Sequence, residues 1–198
     1  MIRIVVPMGG EGRQFVERGY TFPKPLVEVA GRPLSELVVR NLTPAEAHQF
    51  VFICKAEHVQ KYALGDVLRL VAPGCEIVTM SKPTAGALCS VLLGMEHLRH
   101  DDELLIANAD QWVDVPVDRF IDAARTERWD GGMMTYRGTL ANPVGRKNMA
   151  MTAAAAKPAV EKTIGKTRVT TANASAAIAS TAHSIVIPSI VTPFTSIR

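Results

Sequence analysis

A glycine-rich stretch near the beginning of the sequence carries residue types that could bind phosphate. The apolar run 2–6 is typical of a buried strand, and Gly9, Gly10 and Gly12 follow it in a loop. Because glycine has no Cβ, the backbone N–H groups of such a loop can approach an anion closely. Lys24 follows between two prolines that stiffen its backbone, so its ammonium group could add a point charge. These residues predict a phosphate-binding site.

The glycines alone do not decide which kind of loop this is. A Walker loop is excluded because no Gly-Lys-Ser/Thr follows at the required spacing. A dinucleotide fingerprint is weakly supported, since Gly10 and Gly12 fit it but Phe15 stands where the third glycine belongs. A simple turn after a core strand would explain the glycines equally well. The Pro-Lys-Pro-Leu sequence at 23–26 is the feature that favours phosphate binding.

A second group of polar residues follows the apolar run 104–107. Asn108, Asp110 and Gln111 come directly after this predicted strand, at the place where open α/β sheets bind ligands. Mg²⁺ is usually held by carboxylate and phosphate oxygens together, and Asp110 could supply the carboxylate. The alternative is an aspartate that caps the following turn, which is common for a single Asp.

A third candidate is the loop Thr84-Ala85-Gly86-Ala87, which leads into an apolar segment of helical spacing. A helix N-terminus offers free N–H donors to an anion or a carbonyl group. Taken alone, this is an ordinary junction between a loop and a helix.

Strands and helices are predicted to alternate up to residue 136. Apolar runs predict strands at 2–6, 50–54, 76–79, 104–107 and 132–136. Helical spacing predicts helices at 34–42, at 58–70 with an interruption at Gly65, at 88–98 and at 118–126, and residues 28–33 form a predicted turn. The alternation favours one α/β domain, 1–198, with a mostly parallel sheet covered on both faces.

The composition restricts the class of protein. The chain has 198 residues, and no apolar run approaches the length of a membrane span. No signal-peptide pattern precedes the first strand, so a cytoplasmic protein without a membrane partner is expected. Cys54, Cys75 and Cys89 are far apart, which argues against a zinc cluster or a disulfide framework and favours core positions.

The net charge of +3 conceals an asymmetry along the chain. Residues 1–130 carry 14 Lys/Arg and 18 Asp/Glu, whereas residues 131–198 carry 8 and 1. A basic segment can bind nucleic acid, but no Lys/Arg run interleaved with aromatic residues occurs there. No nucleic-acid partner is therefore expected.

The residues after 136 are unusual in composition. Between Ala150 and Ala182, 20 of 33 residues are Ala, Ser or Thr. Low-complexity disorder is one explanation. The other is a segment that is altered relative to an intact domain, in a natural protein that continues past Arg198.

The first 26 residues resemble the signature of the sugar-phosphate nucleotidylyltransferases, and the small bacterial members in particular. That signature has a strand, then G-x-G-[S/T]-R-[F/M/L], and after a gap P-K-P-L. Here Arg13 and Gln14 occupy the places of the hydroxyl residue and the arginine. The resemblance covers about residues 1–136 well and 137–198 poorly. It implies a Rossmann-like three-layer sandwich with a mostly parallel (mixed) sheet, of the GT-A-like nucleotide-diphospho-sugar transferase type.

The resemblance also implies roles for particular residues. The implied catalytic residues are Lys24, Arg13 and Asp110, with Asp110 as the ligand of a Mg²⁺ cofactor. The implied nucleotide-binding residues are Met8, Gly9, Gly10, Gly12, Thr84, Gly86, Ala87 and Asn108. Glu161 and Lys162 resemble a V-E-K stretch that contacts the acceptor.

The implied reaction transfers a nucleotidyl group from an NTP to a sugar 1-phosphate and releases pyrophosphate. The partners would be an NTP and a phosphorylated small-molecule acceptor, and a homo-oligomer is compatible with this. Two alternatives stay open: cytidylyl transfer to a phosphorylated non-sugar acceptor, and a non-catalytic nucleotide-binding homologue. A GT-A glycosyltransferase fits poorly because it would need an Asp-x-Asp motif where Asn108-Ala109-Asp110 stands.

Overall fold

The computed structural model describes residues 1–129, 131–136, 161–164, 167–171 and 183–186. The strands of these ranges are β1 (Ile2–Met8), β2 (Glu28–Val29), β3 (Arg32–Pro33), β4 (His48–Lys55), β5 (Glu76–Met80), β6 (Glu103–Ile106), β7 (Gly132–Tyr136), β8 (Glu161–Ile164), β9 (Thr167–Thr171) and β10 (His183–Val186). The helices are α1 (Arg13–Val16), α2 (Leu34–Leu42), α3 (Ala56–Tyr62), α4 (Leu64–Val71), α5 (Ala87–Leu92) and α6 (Val117–Thr126), and short 3-10 turns lie at Lys24–Leu26 and Met95–His97.

The apolar strand β1 lies at the centre of a five-stranded sheet with the order β10-β6-β1-β4-β5. Every neighbouring pair in this sheet is parallel, with Ile2 opposite His48 on one side and Glu103 on the other. Side chains on both faces of β1 are buried, which explains why its apolar residues are continuous rather than alternating. The predicted α/β fold with a mostly parallel sheet is confirmed.

The predicted fifth strand, 132–136, is a strand but belongs to a different sheet. This strand, β7, pairs antiparallel with β9 in a three-stranded sheet of order β7-β9-β8, and β10 takes the fifth place in the parallel sheet. The error has a physical reason, since an apolar run indicates that a segment is extended but does not indicate its partner.

The predicted helix 34–42 is confirmed, and Pro33 lies just before it as the N-cap residue. The predicted turn at 28–33 is a tight hairpin of β2 and β3, in which Ala30 and Gly31 both have positive φ.

The predicted helix 58–70 is divided, but the interruption at Gly65 is wrong. The break falls at Ala63, which adopts the left-handed conformation with φ 50°. Gly65 lies inside α4, where a Cβ would come within 3.4 Å of Val59 and 3.5 Å of Ile77. Gly65 is therefore a helical residue at which a Cβ would make only ordinary van der Waals contacts, and it does not mark the turn.

Two further expectations need correction. The predicted helix 88–98 ends at Leu92, and only a 3-10 turn continues at Met95–His97. Cys54 is buried, and burial raises its pKa to about 12. Cys75 is partly buried and packs against the core, but Cys89 is exposed. Cys89 lies on the outer side of α5 and is not a core residue.

No helix in the described ranges is both long enough and apolar enough to cross a membrane. Most of the segment 137–198 lies outside the described residues, and so does the expectation that this segment is altered in a natural protein that continues past Arg198.

Candidate functional site

A pocket of about 340 Å³ opens at the carboxyl ends of β1, β5 and β6. This is the edge at which open parallel sheets bind ligands, because loops rather than helices cover the strand ends there. Its lining residues are Pro7, Met8, Gly9, Gly10, Glu11, Lys24, Pro25, Met80, Pro83, Thr84, Gly86, Ala87, Ser90, Asn108, Ala109 and Asp110. The three segments singled out in the sequence therefore meet in one cavity.

An ion pair crosses this pocket between the ammonium group of Lys24 and Asp110 Oδ2. Lys24 begins the 3-10 turn after Pro23, and Asp110 follows the end of β6. The Lys24 Nζ atom also lies 5.9 Å from the centre of the Phe15 ring, a cation–π distance. Both charged groups are partly exposed, so each remains accessible to a ligand.

Two glycines shape the loop between β1 and α1. A Cβ at Gly9 would lie 2.8 Å from the Met80 sulfur, so a side chain there would require the end of the Met80 side chain to move. Gly12 has φ +60°, in the left-handed region, and a Cβ on it would lie 3.2 Å from the Lys24 Cβ. Gly12 therefore permits both the loop conformation and the close approach of Lys24.

Hydroxyl groups hold the opposite wall of the pocket. Thr84 Oγ1 lies 2.7 Å from Ser90 Oγ and donates to the Gly86 carbonyl at 3.0 Å. Ser90 is buried on α5, and its hydroxyl would lie 3.9 Å from a Cβ on Gly9. These bonds tie the Thr84 loop to the first turn of α5.

Glu11 is one of the lining residues of the pocket, and an unpaired carboxylate there would repel an anionic ligand. Lys55, the last residue of β4, donates to Glu11 Oε1 at 2.5 Å. The hydrogen bond and charge of Lys55 lower the pKa of Glu11. The pair neutralises the acidic charge and attaches the loop to β4.

The pocket collects most of the residues predicted from the sequence. Those that line it are Met8, Gly9, Gly10, Lys24, Thr84, Gly86, Ala87, Asn108 and Asp110. Gly12 lies behind Lys24 and outside the lining. Arg13 is the first residue of α1, is exposed and does not line the pocket. Glu161 and Lys162 form part of the backbone of β8, and their side chains lie outside the description.

Sequence reasoning missed several lining residues, among them Met80, Ser90 and Glu11. Met80 directly follows the predicted strand 76–79, so the rule that placed Asn108 and Asp110 at a strand end would also have indicated Met80. Ser90 falls within the predicted helix 88–98, but nothing in its spacing indicates a contact with Thr84.

The fold and this pocket define an α/β domain with a glycine-lined cavity, which contains Lys24 and Asp110, at the carboxyl edge of its parallel sheet. The chain belongs to the family of MobA-like NTP transferase domains, whose model matches residues 4–180. The resemblance to the nucleotidylyltransferases is thereby confirmed. A search of curated proteins finds no match.

Several solved structures that share this fold carry the names of nucleotide-sugar enzymes. A UDP-glucose pyrophosphorylase from Acinetobacter baumanii has 19% identity and a TM-score of 0.54, over 70% of this chain and 57% of that one. A glucose-1-phosphate thymidylyltransferase from Bacillus anthracis has 14% identity and a TM-score of 0.52, over 70% and 56%. A nucleoside-diphosphate-sugar pyrophosphorylase from Vibrio cholerae RC9 has 17% identity and a TM-score of 0.50, over 85% and 73%. At these identities the likeness establishes the fold, and this chain spans little more than half of the first two proteins.

Proposed function

We propose that the protein transfers a nucleotidyl group from an NTP to a sugar 1-phosphate and releases pyrophosphate. The observation that carries the proposal is the Lys24–Asp110 pair, which spans a glycine-lined pocket in an NTP transferase domain. A cation can neutralise the charge of a triphosphate, and a carboxylate can hold the metal counter-ion of the triphosphate. Lys24 and Asp110 would supply these two groups at the carboxyl ends of the strands. The acceptor is assigned from the names of the structural neighbours, which are sugar nucleotidylyltransferases.

In the proposed reaction a phosphate oxygen of the acceptor attacks the α-phosphorus in line, and the bond to the departing pyrophosphate breaks. The attacking oxygen is already ionised, so the reaction needs no side-chain nucleophile. The backbone of Gly9 and Gly10 would approach the triphosphate, because neither residue has a side chain to prevent it. Lys24 would neutralise phosphate charge, and such preorganised contacts supply most of the catalysis in phosphoryl transfer.

The residues of the pocket fit a Mg²⁺ ion that binds together with the nucleotide. No group of three His, Cys, Asp or Glu side chains that could hold a metal occurs within the described ranges. Asp110 contributes a carboxylate to the pocket that Gly9 and Gly10 line, and Mg²⁺ is commonly held by one or two carboxylates plus substrate phosphates. The ion would neutralise charge on the phosphates, and Asp110 would hold it.

Glu161 and Lys162 are proposed to bind the acceptor. A glutamate can accept hydrogen bonds from two sugar hydroxyls, and a lysine suits a phosphate as a point charge. The expected result of Glu161→Ala is weaker binding of the phosphorylated acceptor with almost unchanged NTP binding, measured by calorimetry. Loss of NTP affinity with unchanged acceptor binding would contradict the assignment.

The reaction is tested by incubating the protein with each NTP, Mg²⁺ and a panel of phosphorylated acceptors, followed by a pyrophosphate assay. The panel holds several sugar 1-phosphates, phosphocholine and phosphorylated amino compounds. Pyrophosphate release with a sugar 1-phosphate supports the proposal. Release with CTP and a non-sugar acceptor alone would replace it by cytidylyl transfer to that acceptor.

A second candidate is a non-catalytic nucleotide-binding homologue. Arg13, which stands nearest to the place of the family arginine, is exposed and does not line the pocket. NTP binding in calorimetry, without pyrophosphate release for any acceptor, would favour this candidate.

A further inference from the structure

The structure contains an unusual contact between helix α2 and the loop that follows Asp110. The side-chain amide of Asn41 donates from Nδ2 to the Val113 carbonyl at 2.8 Å, and its Oδ1 accepts from the Val113 N–H, also at 2.8 Å. One side chain thus satisfies both backbone groups of a residue 72 positions away. Such a two-bond contact fixes the position and the orientation of the peptide together.

The contact lies in a segment that regular secondary structure does not hold. Residues 111–116 lie between Asp110, which follows β6, and α6, and they are neither helix nor strand. Val113 and Val115 are buried in the core, but apolar burial is non-directional and does not define which way the backbone points. The directional bonds of Asn41 do define it, three residues from Asp110.

The same helix also holds the segment that carries Lys24. The Leu34 N–H, at the start of α2, donates to the Val27 carbonyl at 2.9 Å, and the Val27 N–H donates to the Lys24 carbonyl at 3.2 Å. Helix α2 therefore connects through its first residue to the segment of Lys24 and through Asn41 to the segment of Asp110. The two charged groups that meet across the pocket are attached to one rigid element.

We infer that Asn41 is a positioning residue that holds Asp110 in place for the metal-bound triphosphate. The inference rests on the proposed function, since it assigns to Asp110 the role given there. Loss of the amide would free the 111–116 backbone and let Asp110 move relative to Lys24. Groups that orient a metal ligand typically contribute 10–100-fold to metal affinity or activity, so the effect is expected to be about 10–100-fold.

The experiment measures how much Mg²⁺ tightens NTP binding. ATP, CTP, GTP and UTP are titrated in turn into the wild type, Asn41→Ala and Asn41→Leu, with Mg²⁺ and with chelator. We expect Asn41→Ala to keep its affinity for free NTP and to lose most of the tightening by Mg²⁺. Asn41→Leu keeps the volume of the side chain and is expected to lose as much, because the hydrogen bonds rather than the packing are needed.

Asp118→Ala is the matched control. Asp118 Oδ1 accepts from the Ala45 N–H at 2.9 Å, so it ties the loop after α2 to α6 without contacting the segment after Asp110. We expect this variant to keep the effect of Mg²⁺ while losing a similar amount of thermal stability. Hydrogen exchange of the Val113 amide should accelerate in Asn41→Ala and not in Asp118→Ala.

The possible results distinguish a failure of the proposed function from a failure of the role assigned to Asn41. A wild type whose NTP binding does not respond to Mg²⁺ would overturn the proposed function and this inference with it. A wild type that responds, with both Asn41 variants responding equally, would overturn the role of Asn41 alone. Equal loss in Asp118→Ala and Asn41→Ala would reduce Asn41 to a general stabilising residue.

Discussion

Two cation–carboxylate pairs lie at opposite ends of the parallel sheet and differ in what surrounds them. At the amino end, Arg3 Nε donates to Asp102 Oδ2 at 2.8 Å, and the two side chains are 10% and 6% exposed. At the carboxyl end, the side chains of Lys24 and Asp110 are 21% and 35% exposed. The same pairing of charges is therefore enclosed at one end and open at the other.

The enclosed pair has further partners that fix it. Asp102 also accepts from the Arg99 N–H at 3.1 Å and lies 3.6 Å from the amino group of Met1, while Arg3 donates to Gln49. Lys24 and Asp110 instead face each other over a pocket. A pair with several partners stabilises one structure, whereas a pair at a cavity can exchange its partner for a ligand. The comparison predicts that substitutions at one end alter stability and at the other end alter catalysis.

The largest effect is expected for Asp110→Asn. The amide keeps the shape but loses the charge that would hold Mg²⁺, so turnover should fall on the order of 10²–10³-fold, the scale for one preorganised electrostatic group. Chelator should do the same to the wild type, and the melting temperature should stay nearly constant. Asp114→Asn, in the exposed loop nearby, is the control. Undiminished turnover after either treatment would dismiss Asp110 as the metal ligand.

Lys24→Ala is expected to lower kcat/KM, because the ammonium that neutralises phosphate charge is lost. The loss should correspond to about 2–4 kcal/mol of transition-state stabilisation. Lys61→Ala removes the same charge from an exposed position beside Tyr62 and should change little. Steady-state kinetics of both variants measure the difference. Equal kcat/KM in Lys24→Ala and wild type would mean that the Pro-Lys-Pro turn merely exposes its lysine.

Asp102→Ala tests the other end of the sheet. Removing one partner of a buried pair costs about 3 kcal/mol, at the low end of the usual range because this pair lies at the rim of the sheet. Urea unfolding should show this loss, while the folded fraction keeps wild-type kcat. Asp101→Ala, its exposed neighbour, should be nearly neutral. A fall in kcat of folded Asp102→Ala would contradict the prediction that the amino end of the sheet affects stability and not catalysis.

The smallest expected effect is a dependence of the free energy of unfolding on pH in the acid range. Burial opposes the ionisation of Asp102, but hydrogen bonds from Arg3 and the Arg99 N–H outweigh it and lower its pKa. The stabilisation is therefore complete above the unfolded value, about 3.9, and is lost as the pH falls through the lower folded value. Urea midpoints measured from about pH 6 to about pH 2 should fall less steeply in Asp102→Asn than in wild type. Parallel curves would exclude this role.

The sequence predicted the carboxyl-end site better than the amino-end pair. Gly9, Lys24 and Asp110 follow strands or stand in a distinctive motif, so their position at one edge followed from the rule for parallel sheets. Nothing in the spacing of Arg3 and Asp102 indicates that they pair, because their contact depends on the register of β1 and β6. Asn41 was missed for the same reason, since a polar residue near the end of a helix is ordinary until its distant partner is known.

The local sequence pattern also predicted individual helices and strands better than it predicted the segments with which they pair. The helix 34–42 followed from apolar spacing within nine residues, and it was confirmed. The sheet of β7 depends on pairing with the distant strand β9, so it could not be read from the local sequence. The break falls at Ala63, an alanine with positive φ, and alanine is not a residue type that indicates a turn. The reaction, its acceptor and its metal remain predictions, because they concern molecules that bind to these residues.

The central position of β1 has a consequence for the synthesis of the chain. Ile2 lies beside His48 on one side and beside Glu103 on the other, so its second neighbour is translated about a hundred residues after it. At about 5–20 residues per second, the ribosome makes the glycine loop about 5–20 s before it makes Asp110. During that interval β1 has an unpaired edge, which is a site for pairing with other chains. Strand β1, which leads into the glycine loop of the pocket, therefore waits longest during synthesis for its second neighbouring strand.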